Sequence, residues 1–257
     1  MGIVFQSTYT GGEKFMKLKL SAIFSLIAMA LTLFSPAFSY ADSPGELDAR
    51  IMESRQVMDE IMATPDQSIP EELLAKCKAI AIYPNVLKAG FILGGRFGKG
   101  VVLKRDENTG KWGPVAFSTI GGGSYGLQIG GSATDLVLVI MNERGMAGLL
   151  SNNFTLGGDA AVAAGPVGRN SEAATDLSLR AGIISYSRSR GLFAGIALDG
   201  AVMTQDNNSN TAYYGKYVTS KDILLGNAVQ VQKSSKELLQ SLEEYSGRWA
   251  KRIGTRK

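Results

Sequence analysis

Residues 119–131 read TIGGGSYGLQIGG, and within them Gly121, Gly123 and Gly126 spell G-x-G-x-x-G. A dinucleotide fingerprint of that spacing needs a strand before it and a helix after it, so that the helix N-terminus meets a pyrophosphate. Here Gly126 leads into LQIGGSATDLVLVIM, a β-rich run in which Gly130-Gly131 would break a helix early, and no βαβ alternation surrounds it. A second glycine run, GGRFGKG at 94–100, fails as a phosphate loop. Gly94 and Gly98 enclose one residue too few, and Gly100 stands where a Mg²⁺-binding hydroxyl would follow Lys99. Neither motif predicts a nucleotide partner.

Other chemistries are thinned by what the chain lacks. It has no histidine, which removes Ser-His-Asp and Cys-His catalysis and the usual zinc sites. Its single cysteine, Cys77, allows no internal disulfide and reads as a small buried apolar residue between two lysines. DNNSN at 206–210 resembles the start of a calcium loop, but Thr211 and Tyr217 replace the glycine and glutamate such a loop needs, so an exposed loop is expected. Asp135 and Asp159 suit turn or cap roles. A hydrolase using only Asp, Glu, Ser or Lys would need a paired-carboxylate or Ser-Lys site, and no spacing points to one. The expectation is a protein that is not an enzyme and holds no cofactor and no metal.

The elements that must position these residues follow from periodicity. SPGELDARIMESRQVMDEIMAT opens with a capping box of Ser43 and Glu46 around Pro44. Leu47, Ile51, Met58, Ile61 and Met62 then form an apolar stripe, with Asp48, Arg50, Glu53, Arg55, Asp59 and Glu60 on the polar face. That mixed-sign face favours packing on a core over lying on a membrane. A second helix is predicted after a capping box of Ser68 and Glu71, and AIAIYPNV turns β-like with a turn at Pro84-Asn85.

From Lys88 to about Thr204, short runs rich in Val, Ile, Phe and Tyr alternate with glycine and read as antiparallel strands. Residues 106–110, DENTG, form a hairpin loop between two of them, and ERGMAGLLSNN interrupts the sheet as a short helix. A final helix is expected from a box of Ser234 and Glu237, with Leu238, Leu242, Tyr245 and Trp249 on one stripe. The tail RWAKRIGTRK suits either a membrane interface or a solvated end.

The 31 glycines are about 12% of the chain, against a usual ~7%. Inside strands they mark bulges, bends and close backbone approach. The predicted fold class is therefore α+β: a curved antiparallel β-sheet or barrel-like core flanked by N- and C-terminal helices.

Residues 1–41 read as an N-terminal extension and a cleaved signal peptide. From Met16, Lys17 and Lys19 precede an apolar stretch, Ser21 to Phe34, and Ser39-Tyr40-Ala41 is a small-residue cleavage site without a cysteine for lipid attachment. Residues 42–257 are then one domain, exported to the periplasm or secreted. Without Glu13, Lys14, Lys17 and Lys19 its charge is near +2, too weak to argue for nucleic acid.

The order YPNVLKAGFILGGRFGKG, KWGPVAF, GGGSYGLQIGGSATDLVLVI, LGGDAAVAAGPVGR, ISYSRSRGLFAGIALDG, then Asn210 with Tyr213-Tyr214-Gly215, resembles the SYLF domain family. The resemblance runs from about Ala49 to Leu239. It implies a lipid-binding domain without enzymatic activity: eukaryotic members bind phosphoinositides, and some fungal members bind and bundle actin. For an exported chain the implied partner is an anionic phospholipid membrane surface, with actin an unsuitable one. The alternative is a cell-envelope structural or protein-interaction domain. Headgroup phosphates are ligands for arginine, lysine and glycine-rich turns. The cations inside the matched motifs are Lys88, Arg96, Lys99, Arg169, Arg188 and Arg190, and these are the candidate lipid-headgroup-binding residues.

Overall fold

The computed structural model describes residues 42–63, 68–90, 93–125, 130–166, 181–189, 192–195, 198 and 200–254. Residues 1–41, on which the expected extension and signal peptide fall, lie outside the described residues.

Helix α1 (Pro44–Ala63) starts at the predicted capping box: the Ser43 amide donates to Glu46 Oε2 at 2.7 Å, and the Glu46 amide donates to Ser43 Oγ at 3.4 Å. The whole predicted stripe is buried. Arg50, expected on the polar face, is buried too. Its guanidinium pairs with Asp42 and lies 5.6 Å from the Phe117 ring centroid.

Helix α2 (Glu71–Lys76) departs from the expected Ser68–Glu71 box. Its cap position is Pro70, with no side-chain cap bond. A helix capped at Ser68 would need helical geometry at Ile69, the residue before a proline, where that geometry is disfavoured.

The strands are β1 (Ala79–Gly90), β2 (Leu93–Lys104), β3 (Ala116–Tyr125), β4 (Gly130–Ile140), β5 (Asn153–Thr155), β6 (Val162–Ala164), β7 (Ile183–Ser189), β8 (Leu192–Gly195) and β9 (Val202–Gln205). They form one sheet in the order β5-β9-β3-β2-β1-β4-β7-β6, with β8 also on β7. Pairing is antiparallel except between β6 and β7. The sheet curls into a half-barrel, bearing out the α+β class.

Pro84-Asn85 does not end a strand. It is a bulge inside β1, where pairing shifts register against both neighbours, and Asn85 takes φ 52°. The Asn85 amide donates to Asp135 Oδ1 at 3.0 Å, which satisfies a donor the bulge removes from the ladder.

Each face of the sheet carries its own core. On one, α1, α2 and the C-terminal helix α6 (Lys236–Gly254) cover Ile80, Ile82, Val101, Leu103, Phe117 and Val137. On the other, α3 (Glu143–Leu149) and α5 (Ser220–Leu225) pack over Ala81, Tyr83, Val102, Ile120 and Leu138. The predicted helix in ERGMAGLLSNN is thus α3, capped by Asn142.

DNNSN is helical rather than a loop. Asp206 caps α4 (Asn207–Tyr214) by accepting from the Ser209 amide at 3.1 Å. Nor do Ser234 and Glu237 form a box. A 3₁₀ turn at Lys233–Ser235 precedes α6, the Ser234 hydroxyl bonds the Tyr213 hydroxyl at 2.8 Å, and Glu237 pairs with Arg55. Tertiary partners outbid the local cap in this case.

Two of the GGRFGKG glycines, Gly98 and Gly100, make room for the neighbouring strand. A Cβ on Gly100 would lie 2.3 Å from the Ile82 carbonyl oxygen and 2.4 Å from Tyr83 Cδ1, and one on Gly98 would lie 2.8 Å from Val86 Cγ2. Tyr83 fills that slot, fully buried, its hydroxyl 2.7 Å from Ser118 Oγ.

Candidate functional site

The six candidate cations divide by environment. Arg169 and Arg190 lie outside the described residues. Lys99 donates to Asp42 Oδ1 at 2.6 Å, and Asp42 also holds Arg50. Burial raises the Asp42 pKa, but the hydrogen bonds and charges of Lys99 and Arg50 outweigh it and leave the carboxyl below its ordinary value. Arg188 sits in β7 between Glu60 and Asp135, pairing with both. Lys99 and Arg188 therefore tie α1 to the sheet, and their charge is matched inside the fold.

Lys88 and Arg96 lie on a different part of the sheet. They are directly paired across the β1–β2 ribbon near its far end, and both are partly exposed. Their row continues to Ser132 on β4 and Gly122 on β3. No acid occupies it. Arg96 Nε is buried with no hydrogen-bond partner among the described residues. A buried guanidinium donor left unmatched costs free energy that an anionic oxygen would recover.

Among the described residues, the two outer rows on the opposite face of the same end carry no charged side chain. Leu87 faces Phe97 across β1 and β2, in a row that runs Ala133, Leu87, Phe97, Gly121. The next row outward reads Gly131, Ala89, Gly95, Gly123. Leu87 is 60% exposed and Phe97 53%. The Pro84-Asn85 bulge sets this phase. Tyr83 and Val86, three positions apart, both face the second core, so Leu87 turns to the side of α1 and Lys88 away from it. Motif reading of charged residues missed Leu87 and Phe97. The signal was the charge-free stretch from Ala89 to Gly95, apolar where a solvated hairpin is normally polar.

The remaining matched motifs are architectural. Asn210, fully buried, accepts from the Phe117 amide at 2.8 Å and donates to Ser220 Oγ at 3.0 Å, locking α4 and α5 to β3. The Tyr214 hydroxyl donates to the Val115 carbonyl at 2.6 Å. Asp159 accepts from the Thr155 amide at 2.7 Å, a turn role as expected. Cys77 is buried, and burial pushes its thiol up to about 12.

A curled sheet with helices on both faces, glycine slots for Tyr83 and a buried Asn210 clamp define an α+β architecture whose described motifs serve the fold. A family model described as "Las17-binding protein actin regulator" (Ysc84) matches residues 121–245. SH3 domain-containing YSC84-like protein 1 of Rattus norvegicus is 36% identical over 196 residues, 75% of this chain and 57% of that protein. The Homo sapiens protein of the same name gives the same values, 36% over 196 residues. Protein YSC84 of Saccharomyces cerevisiae is 38% identical over 182 residues, 69% of this chain and 38% of the yeast protein. The chain thus spans little more than half, or less, of the curated relatives it matches. The chain belongs to the SYLF (Ysc84) domain family. None of these relatives carries an enzyme's name.

Proposed function

We propose that the chain is an exported, non-enzymatic lipid-binding domain that docks on anionic headgroups at a membrane surface. The observation that carries this reading is the Lys88–Arg96 pair, set in an acid-free row at the end of the sheet with a guanidinium nitrogen lacking a partner among the described residues. Phosphate oxygens match both the charge and the donor geometry. The leader at 16–41 supports export. Among the described residues no helix is long and apolar enough to cross a membrane, so attachment of this part of the chain would be peripheral if it is not made by strands.

Co-sedimentation with neutral and anionic vesicles tests the reading, using the chain from Asp42 onward, which contains both cores. Expected is binding to anionic vesicles that weakens with salt and falls on K88Q/R96Q, while K99Q lowers stability and leaves binding in place. Absence of binding at low salt rejects the reading.

A second reading has its own support. The family description and the relatives' names point to protein partners, Las17 and actin regulation among them. For this chain the corresponding function is an envelope protein-interaction domain, which predicts a saturable protein partner and indifference to lipid.

A further inference from the structure

Three elements converge on one carboxylate where the chain leads into α1. Arg50 comes from the second turn of α1, Lys99 from β2 and Ser209 from the first turn of α4, and Asp42, in the coil ahead of α1, lies between them. Lys99 donates to Asp42 Oδ1 at 2.6 Å and Arg50 Nη2 donates to Oδ2. The Ser209 hydroxyl stands 3.3 Å from the same Oδ2. The place is enclosed: Arg50 is 8% exposed and Ser209 1%. A second acid borders it, since Asp206 Oδ2 accepts from the Ser209 hydroxyl at 2.7 Å.

Asp42 satisfies these cations incompletely. Arg50 Nη1 is buried with no hydrogen-bond partner among the described residues. A buried guanidinium donor left unmatched costs free energy. Both carboxylate oxygens of Asp42 are already engaged, whereas a tetrahedral phosphate group has oxygens to spare, and arginine takes it with two donors at once. Asp42 is also free to leave. The cap of α1 is made by Ser43 and Glu46, so withdrawing Asp42 does not uncap the helix.

Charge sets the class of ligand. Without Asp42 the place holds Arg50, Lys99 and Asp206, one net positive charge. A singly charged phosphate group matches it better than a dianion does. Dihydrogen phosphate and the phosphodiester of a lipid headgroup both carry that charge.

We infer that Arg50 and Lys99, with Ser209 beside them, form a phosphate site that Asp42 fills as the chain's own, displaceable ligand. The inference does not rest on the lipid-binding reading. Lys99 lies on the α1 side of β2, and Arg96, three positions away, faces the reverse side.

The test is D42G in the chain from residue 42 onward, melted in phosphate or in chloride at equal ionic strength and at a pH where the singly charged form predominates. The expected result is a D42G melting temperature that rises by roughly 3–5 °C for each tenfold increase in phosphate beyond its dissociation constant. The parent chain, its site filled, needs at least about tenfold more phosphate for the same rise. D42G/K99Q loses the response. If D42G is unfolded in chloride, phosphate restores its folded circular dichroism, and failure to restore it overturns the inference. A D42G that does not respond, or responses equal in D42G and D42G/K99Q, overturn it as well. Vesicles separate the two sources of phosphate. Tighter binding of D42G than of the parent chain to anionic vesicles assigns the site to headgroup phosphodiesters. Unchanged vesicle binding with the phosphate response kept assigns it to free phosphate.

Discussion

The Tyr83 ring occupies the space where a side chain on Gly100 would begin, 2.4 Å from Tyr83 Cδ1 to the position of that Cβ. The two residues lie on adjacent strands and fix how closely β1 and β2 approach across the bulge. The obstacle includes backbone, the Ile82 carbonyl at 2.3 Å, so it cannot rotate away. G100A is expected to destabilise the fold by about 2–3 kcal/mol, the range of overpacked cores. G95A, where the nearest atom is 3.9 Å away, is expected to change stability by less than about 0.5 kcal/mol. Urea melts of the two variants separate a slot glycine from an open one, and equal effects would sink the explanation.

Asp42 makes stability depend on acid. Its carboxyl accepts from Lys99 and Arg50, and despite partial burial its pKa in the fold lies below the ordinary 3.8. A carboxylate depressed on folding contributes stability above its unfolded value and loses it as pH falls through the folded one. The parent chain should therefore lose stability below pH 3.8 in part through this residue. D42N should be less stable near neutrality by about 2 kcal/mol, because buried Arg50 loses its partner, and its acid limb should be shallower. Thermal melts from pH ~7 down to ~2 give both quantities, and parallel curves for the two proteins would contradict the assignment.

Asn210 replaces a missing strand partner. Its side-chain oxygen takes the Phe117 amide at 2.8 Å inside the protein. N210A leaves that amide and Ser220 without this partner, at an expected cost of about 2–3 kcal/mol. Hydrogen exchange at the Phe117 amide should quicken more than at the Val101 amide. Unchanged exchange at Phe117 would show that Asn210 does not protect it.

Cys77 should be chemically silent in the native state. Its thiol is fully enclosed, and burial raises it to about 12, so little thiolate exists near neutrality. An alkylating reagent at pH ~8 should label it only on unfolding, at the rate of opening. Rapid native labelling would instead show a reactive thiol.

Much of the fold was legible because local chemistry and tertiary packing agree. The Ser43–Glu46 box, the apolar stripe of α1, the hairpin at 106–110, the short helix at Glu143–Leu149 and the buried Cys77 all appear where periodicity and capping rules place them. Gly98 and Gly100 serve the architecture, as expected. Local reasoning failed where a distant residue supplied a better partner. Ser234 and Glu237 are taken by Tyr213 and Arg55. Arg50 is drawn into the core by Asp42 and Phe117. The Thr219–Asp222 capping box of α5 went unread.

The candidate site shows the same division. Composition and motif order selected the cations, excluded histidine chemistry and left no phosphate loop. Only the tertiary structure showed that Lys99 and Arg188 meet carboxylates 53 or more positions away in α1, its cap and β4, and that Lys88 and Arg96 stand directly opposite each other across β1 and β2. It alone showed Leu87 and Phe97 exposed together. The physical reason is the bulge at Pro84-Asn85. One extra residue reverses which side chains of β1 face each core, and the resulting phase depends on pairing with β2 and β4, partners that strand periodicity within β1 does not contain.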